Sequence, residues 1–591
     1  MTRPIPAAAL AGLLFSCPVL AERPADMETM VVTANRTPML AADALVPVTV
    51  ITREEIERSL AIDVIDLLRF EAGLDVARTG GPGQSATVFI RGAESNHALV
   101  LVDGVRVNPG TIGGAPLQHL APSLIERIEI VKGARSTLYG TDAIGGVINI
   151  ITRGSGQRTE TAARGGSFDT RQLQLSLGQP LGEGALGVDL DWSRTDGFPT
   201  FRDDDVERGY DNFSANLTAA APVGAGDLTL RHWQASGTTE YADFFRIPVA
   251  QDYRNSVSAL EFASPVGRFG DSRVILSYLR DEIEQNESPD FVESERRTLD
   301  FQHTVLLGGA HTLTGGVYLV EEDAGSLSFG TGFDEDTSVR AVFVQDFIDL
   351  GAHDVELAVR HTDHSDFGGE TTWNAGYGYA ITERWRISAG IGTAFRAPDA
   401  TDRYGFGGNP ELAPETATET QAMLRYTPAA NTTFSVELYD KDIDDLIEFD
   451  LDAFRLRNIE AAEIRGVQFT LEQRWDDWDL TLSAVRQQVR DASTDARLLR
   501  RAEKSASLTA NRYFGRHVLG LSLIANGDRA GTGGQTMGGY LLTNLNARVV
   551  LGDSWRLTGR VENVFDRDYE TAVGYNMAGR SGYLELGYVW R

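Results

Sequence analysis

The 591-residue chain has a single cysteine, Cys17. A disulfide framework is therefore excluded, and stability must come from another source. The chain also lacks any uninterrupted apolar run of the about 18 residues that a membrane-crossing helix requires. Positive charge is scarce: 54 Lys and Arg stand against 84 Asp and Glu, a formal net charge of -30. Without a concentrated basic face, nucleic acid is not expected as a partner, because phosphate binding is driven by clustered cations. No Ser/His/Asp arrangement and no HExxH motif occurs, and His361 and His364 in "RHTDHSD" read as rim residues rather than a metal site. An enzyme is not expected.

What is present begins with a leader. Residues 1–21, "MTRPIPAAALAGLLFSCPVLA", carry an early basic residue, an apolar run from Ala7 to Phe15 and a small-residue cleavage site at Val19-Leu20-Ala21. Cleavage after Ala21 removes Cys17; a lipoprotein-type acceptor is disfavoured by bulky Phe15 two positions before it. The mature chain is then an exported protein without cysteine.

From about residue 170 onward one texture repeats: about ten residues of alternation, then a polar or Gly-rich break. In "LGVDLDW", Leu186, Val188, Leu190 and Trp192 share one face and Gly187, Asp189 and Asp191 the other. "DVELAVR" sets Val355, Leu357 and Val359 opposite Glu356, Ala358 and Arg360. "WRISAGIG", "FSVELYD", "VLGLSLI" and "YLELGYVW" behave alike. A period of two suits a strand with lipid on one side and water on the other, although a soluble sandwich or propeller also alternates. The leader, and aromatic residues near strand ends (Trp192, Tyr513-Phe514, Tyr588, Trp590), favour the membrane reading. A spanning sheet must close, since an open edge in hydrocarbon leaves N–H and C=O groups unpaired. Residues 157–591 allow about 20 residues for each of about 22 strands and its connection, with strands of about 9–11 residues. The acidic or aromatic breaks "TDGFPTFRDDDVERGYDNF", "TTEYADFFRIPVAQDYRN" and "RDEIEQNESPDFVESERR" are placed on the outer rim, opposite the tight turns.

Before residue 157 the pattern changes. "TREEIERSLAIDVIDLLRFEAGLDV" predicts a helix capped by Thr52, with Glu55 three residues on and a stop at Gly73. The short strands "TVFIRG", "ALVLVDGVRV", "IERIEIVKG" and "GVINIIT" follow. The fold expected is an all-β transmembrane antiparallel barrel of about 22 strands, residues 157–591, wide enough to contain an N-terminal α+β domain, residues 37–156.

"VFIRGAESNHALVLVDGVRVN" and "LIERIEIVKGARSTLYGTDAIGGVINIIT" closely resemble the plug of TonB-dependent outer-membrane transporters. "TAFRAPDATDRYGFGGNPELAPET", "DDLIEFD", "RLLRRAEKSAS" and "ENVFDRDYETAVGYNMAGR" extend the resemblance along the barrel, where it is most similar to the cobalamin-receptor branch. The resemblance implies active uptake of a scarce large nutrient, cobalamin or another corrinoid, a ferric siderophore or haem, by a monomer seated in outer-membrane lipid and energised by TonB and its inner-membrane complex. A passive porin needs the same barrel but no plug.

Within residues 22–36, Glu28, Thr29, Met30, Val31, Val32, Thr33 and Ala34 look like the family's TonB box, a β-prone, proline-free segment that a periplasmic partner captures as an added strand. The six residues between cleavage site and box leave no room for a signalling domain, so transport alone is the expected output. The loops "GGPGQ" and "NPGTIGG" carry the turn-forming glycines and, by resemblance, offer Gln84, Ser85, Asn108 and Thr111 to substrate. Arg91 and Arg135 match plug arginines that in the family face two barrel glutamates; here Gln421 and Gln468 stand at those positions, with Glu419 or Glu415 as neighbouring substitutes. Arg–amide bonds weaker than Arg–carboxylate pairs are expected. Asp203, Asp204, Asp205, Asp211, Asp243 and Asp252 fall in loop regions where cobalamin receptors hold calcium; the other reading is a solvated acidic loop. No covalent cofactor is expected. Arg591 follows Trp590 where barrel-assembly signals usually end on an aromatic residue, and assembly is expected to tolerate this.

Proline cannot donate to a ladder. Val31→Pro or Val32→Pro is therefore expected to abolish energised uptake while leaving ligand binding intact; unchanged uptake of labelled ligand by whole cells would rule out the box.

Overall fold

The computed structural model describes residues 30–31, 34–243, 245–450, 453–459 and 461–590. The leader and Glu28, Thr29, Val32 and Thr33 lie outside the described residues. No described helix is long and apolar enough to cross a membrane. The spanning element is instead a closed barrel of 22 antiparallel strands, in which each strand pairs with the next and the first, Arg158–Gly166, closes onto the last, Ser581–Val589. Glu160 lies opposite Val589 and Gly166 opposite Tyr583, so no edge is left open.

Alternation sorts the side chains in the opposite sense to a soluble protein. Along His353–His364, Asp354, Glu356, Arg360 and Thr362 are buried inside the barrel, while Leu357 and Val359 are 50% and 47% exposed on its outer face. In Gly184–Thr195, Asp189 and Asp191 are buried between half-exposed Val188, Leu190 and Trp192. The apolar face is thus the outer one and requires lipid, and the polar face is covered by the plug.

One rim has turns of two to five residues, as between Leu181 and Gly184, Thr382 and Trp385, Trp475 and Trp478, and Pro265 and Asp271. Aromatic rings collect there: Trp385 stacks on Tyr426 with centroids 4.1 Å apart, and Tyr588 meets Trp555 at 4.7 Å and Trp590 at 4.6 Å. Such rings suit the interfacial layer. Tyr513 does not join them; it faces inward, where its hydroxyl donates to Asp479 and accepts from Arg58 of the plug, while Phe514 is exposed.

The other rim carries the long connections, including 196–209, 397–414, 492–503 and 563–580. Two breaks expected to be loops are mostly strand. Gly226–Ala242 and Pro248–Pro265 leave only 243–247 between them, and Asp271–Gln285 and Phe291–Leu307 leave only 286–290. Strands run from 8 to 19 residues rather than the expected length. Polar residues such as Arg280, Glu282, Glu293 and Glu295 pair across the strands here because the ladder continues past the hydrocarbon into water.

Inside the barrel, a five-stranded sheet runs in the order Val48–Thr52, Ile125–Lys132, Gly146–Thr152, Ala98–Val102, Val105–Arg106. Only Ala98–Val102 and Gly146–Thr152 are parallel. Val100, Val102, Ile128, Ile130, Ile148 and Ile150 form its core. A separate hairpin pairs Leu74–Arg78 with Ala86–Ile90. Thr52 and Glu55 form the capping box. The single helix expected after it is two short ones, Arg53–Ser59 and Val64–Leu68. The break follows from Leu60, which ends the first in the left-handed region, and Asp63, whose carboxylate accepts the Asp66 N–H and starts the second.

A cation on the outer face has no partner in lipid. Leu357→Arg is expected to lower barrel stability by about 2–4 kcal/mol if the site lies near the bilayer midplane, read as a lower denaturant midpoint for the heat-modifiable band. An unchanged midpoint would contradict the lipid-facing assignment.

Candidate functional site

Three features of the plug–barrel interface bear on function: a buried ionic cluster, a latch on the segment that follows the box, and the plug loops facing the long-loop rim.

The cluster centres on Arg91, at the end of the Ala86–Ile90 strand, in the left-handed region at φ 51°, with its N–H donating to the Gly73 carbonyl at 2.7 Å. The side chain is fully buried. Nη1 donates to Glu419 Oε1 and to Gln421 Oε1, both at 3.0 Å, and Nη2 donates to Glu437 Oε2 at 2.9 Å. The Tyr439 ring lies 4.5 Å from the guanidinium carbon. The barrel register explains the grouping: Glu419 pairs with Lys441, Gln421 with Tyr439 and Gln468 with Glu437, and positions two apart share the inner face. Glu419 Oε2 also accepts from Lys441 at 3.1 Å and from the Ala134 N–H at 2.9 Å. Gln468 donates to Glu437 Oε1 and accepts from Lys132, each at 3.3 Å.

The amide contact expected for Arg91 is present, and of the two neighbouring substitutes Glu419 engages it. Gln421 is a partner, but two carboxylates, Glu419 and Glu437, stand beside it. Burial alone would lower the Arg91 pKa; the two carboxylates more than offset this, and the net shift is upward. Arg135 meets neither Gln421 nor Gln468. Its Nη1 lies 3.7 Å from Glu356 Oε1, and burial outweighs this longer contact, pulling its pKa down. Glu437 was legible only as one polar position in "FSVELYD". Glu415 serves elsewhere, accepting from Arg396 at 2.8 Å and bonding His97 at 3.0 Å.

The latch lies just after the box. Met30 and Val31 pair antiparallel with Leu40 and Met39. Ala34 is fully buried in a small cluster with Ala44, Val46 and Val131. Arg36 donates to the Leu138 carbonyl at 3.0 Å, pairs with Asp300 of the barrel and lies over the Phe343 ring at 4.8 Å. The Gln302 amide donates to the Arg36 carbonyl at 3.1 Å. No motif marked Arg36, because its partner is 264 residues away.

Of the four residues expected to face substrate, only Ser85 is exposed. Gln84 is buried and donates to the Glu240 carbonyl at 2.5 Å. Its neighbour Gly83, at φ +75°, lies so close to Tyr210 that a Cβ would stand 2.1 Å from the ring. Asn108 is spent within its own loop, accepting from the Val100 N–H at 2.8 Å and donating to the Ala98 and Gly113 carbonyls. Thr111 is buried, and its carbonyl accepts the Thr401 N–H at 2.9 Å. The large hydrophobic residue these loops expose is Ile112.

The six aspartates do not form a cation cage. Asp204 pairs with Arg208 at 2.6 Å, Asp243 accepts the Ile247 N–H at 2.7 Å, and Asp252 accepts from Thr238 at 2.6 Å. Asp203 and Asp205 are exposed, and Asp211 lies in the Tyr210–Val223 strand. Among the described residues no three His, Cys, Asp or Glu side chains group as a metal site. In this arrangement the residues do not fit calcium.

The latch rests on one carboxylate and one carbonyl. Replacing Asp300 by Asn removes a charge-assisted bond of about 1.5–3 kcal/mol. In an Ala34→Cys background, cysteine-free elsewhere after leader removal, Asp300→Asn is expected to speed maleimide labelling by about tenfold or more. Equal rates would show that the pair does not hold the segment.

Comparison with known proteins agrees with this geometry. A family model described as TonB dependent receptor-like, beta-barrel matches residues 153–564, and the TonB-dependent receptor plug domain matches residues 41–147. A vitamin B12 transporter of Photobacterium profundum is 31% identical over 614 residues, spanning 100% of both chains. In fold, the chain matches the ferric enterobactin receptor of Pseudomonas aeruginosa with a TM-score of 0.82 at 17% identity, covering 92% of this chain and 99% of that one. It matches the FrpB iron transporter of Neisseria meningitidis with a TM-score of 0.81 at 14% identity, covering 92% and 99%. With plug, closed barrel and family models in agreement, this chain belongs to the TonB-dependent receptors of the bacterial outer membrane.

Proposed function

We propose that this outer-membrane transporter takes up cobalamin, with TonB capturing the segment around Met30 and Val31. The observation that carries the substrate is the end-to-end similarity to a vitamin B12 transporter, at 31% identity. The solved structures named above are a ferric enterobactin receptor and an iron transporter, but at 14–17% identity they speak to the fold alone. A passive porin is disfavoured by the plug, whose sheet occupies the lumen and buries the polar inner face of the barrel.

The geometry supplies a route from ligand to energy source. A ligand of this size meets the long-loop rim and cannot pass the plug. The Arg91 cluster ties the plug's centre to the wall through several partners, whereas the box-proximal segment is tied by Arg36. Leu138, which accepts from Arg36, begins the run Leu138–Asp142, whose far end lies against the loop-rim residues of the barrel: the Asp142 N–H donates to the Phe395 carbonyl at 3.2 Å. A ligand that favours a different position of this run would weaken the latch, and it can shift the equilibrium only by its differential affinity for the two states.

The test is equilibrium binding and energised uptake of cyanocobalamin beside a ferric catecholate, with and without calcium. Tight cobalamin binding with TonB-dependent uptake is expected. Binding of the iron chelate alone would overturn the substrate. Calcium at the outer loops is proposed only as a ligand-dependent regrouping of the aspartates, and equal affinity with and without the ion would remove it.

A further inference from the structure

A cavity of about 70 Å³ lies between the plug and the barrel wall below the long-loop rim. Its charged lining is almost completely paired. Arg106 is held by Asp142, Arg403 by Asp366, and Arg396 by Asp399 at 3.0 Å together with Asp402 and Glu415. Glu322 is held by Arg296 at 2.7 Å.

Among the arginines of this lining Arg360 is the exception. It lies on the inner face of the His353–His364 strand and is 1% exposed. Its Nε donates to Thr362 Oγ1 at 3.0 Å, while Nη1 and Nη2 have no hydrogen-bond partner. Among the described residues it forms no ion pair: Asp300 is engaged by Arg36, and Glu335, which also lines the cavity, makes no ion pair with it. The guanidinium lies 5.3 Å from the Tyr318 ring centre and is pressed against Gly140 of the plug, where a Cβ would stand 3.1 Å from Nη2. A buried cation without a counter-charge is costly, so a partner from outside the chain is called for. The two free nitrogens form the planar edge that matches two oxygens of a phosphate or carboxylate.

We propose that this cavity is an oxyanion site in which Arg360 binds a phosphate or carboxylate group through both terminal nitrogens. The anion has two sources: free inorganic phosphate from the medium, or the phosphodiester of a bound cobalamin. The second source rests on the cobalamin reading and the first does not. Occupancy matters for transport because Gly140 is two residues from the Leu138 carbonyl that holds Arg36, so the anion sits beside the latch.

The purified full chain in detergent distinguishes the sources. Thermal unfolding is followed while inorganic phosphate replaces chloride at fixed ionic strength, and affinity is measured for cyanocobalamin and for cobinamide, which lacks the phosphodiester. Parent, Arg360→Met and Arg465→Gln, an exposed arginine elsewhere on the barrel, are compared. A free-phosphate site predicts that phosphate raises the parent's unfolding temperature by several degrees and leaves Arg360→Met unmoved. A ligand-borne anion predicts that Arg360→Met loses about tenfold in cobalamin affinity with cobinamide unaffected. In phosphate-free buffer Arg360→Met should unfold no lower than the parent, since it removes an unpaired charge. The site is overturned if the parent ignores phosphate and Arg360→Met binds both corrinoids as the parent does. It is overturned equally if Arg465→Gln abolishes the same responses. A parent that binds neither corrinoid refutes the cobalamin reading while the phosphate arm still decides the site.

Discussion

An unpaired main-chain N–H or C=O in hydrocarbon costs several kcal/mol, and the architecture follows from that cost. A chain whose described residues hold no helix long and apolar enough to cross a membrane can meet it only by closing a sheet on itself. Here closure takes 22 strands, and the pairing of Arg158–Gly166 with Ser581–Val589 completes it. A barrel this wide encloses a lumen that side chains alone cannot fill. The lumen is therefore lined with polar groups and occupied by a separate domain, and the contacts between the two decide when the pore is shut.

Those contacts are unequal in strength. Arg91 is fully buried with three side-chain acceptors and an aromatic face, and removing it would strand buried Glu419 and Glu437 at a cost on the order of 3–5 kcal/mol. The N-terminal end is weaker. Arg36 has one carboxylate, one carbonyl and the Phe343 ring, and the first strand of the plug sheet, Val48–Thr52, is an edge strand paired only with Ile125–Lys132. A force applied at the box meets the Arg36 latch and this edge strand first, while the sheet core around Ile128, Ile130 and Ile148 stays covered. The fold thus separates a part that can leave from a part that keeps its place.

The strand pattern was readable because the bilayer imposes a strict period of two: "DVELAVR" and "LGVDLDW" show in sequence the same faces that the barrel turns outward and inward. Lengths were harder to read, since strands continue into water beyond the apolar band, where the outward side chains Glu293, Glu295 and Arg297 of Phe291–Leu307 are polar like those of a loop. The Thr52 capping box was legible as a four-residue motif, but the interruption at Leu60 depends on a left-handed residue that no propensity marks. Site residues followed the same division. Arg91 stood in a recognisable plug motif, whereas Glu437, Asp300 and Arg360 are single polar positions on barrel strands. Their partners are set by closure and register over hundreds of residues. Asn108 and Thr111 looked like ligand contacts because turns and binding loops share composition; burial assigns Asn108's amide to the loop itself.

The account's central claim is that ligand at the outer rim loosens the box-proximal segment and leaves the rest of the plug in place. Hydrogen exchange along the plug, measured with and without saturating cyanocobalamin in the absence of TonB, tests it most directly. Faster exchange confined to residues 34–52, with 98–102 and 125–152 still protected, is the predicted result. Unchanged exchange at 34–52 in a ligand-saturated sample, or faster exchange throughout the sheet, would contradict it.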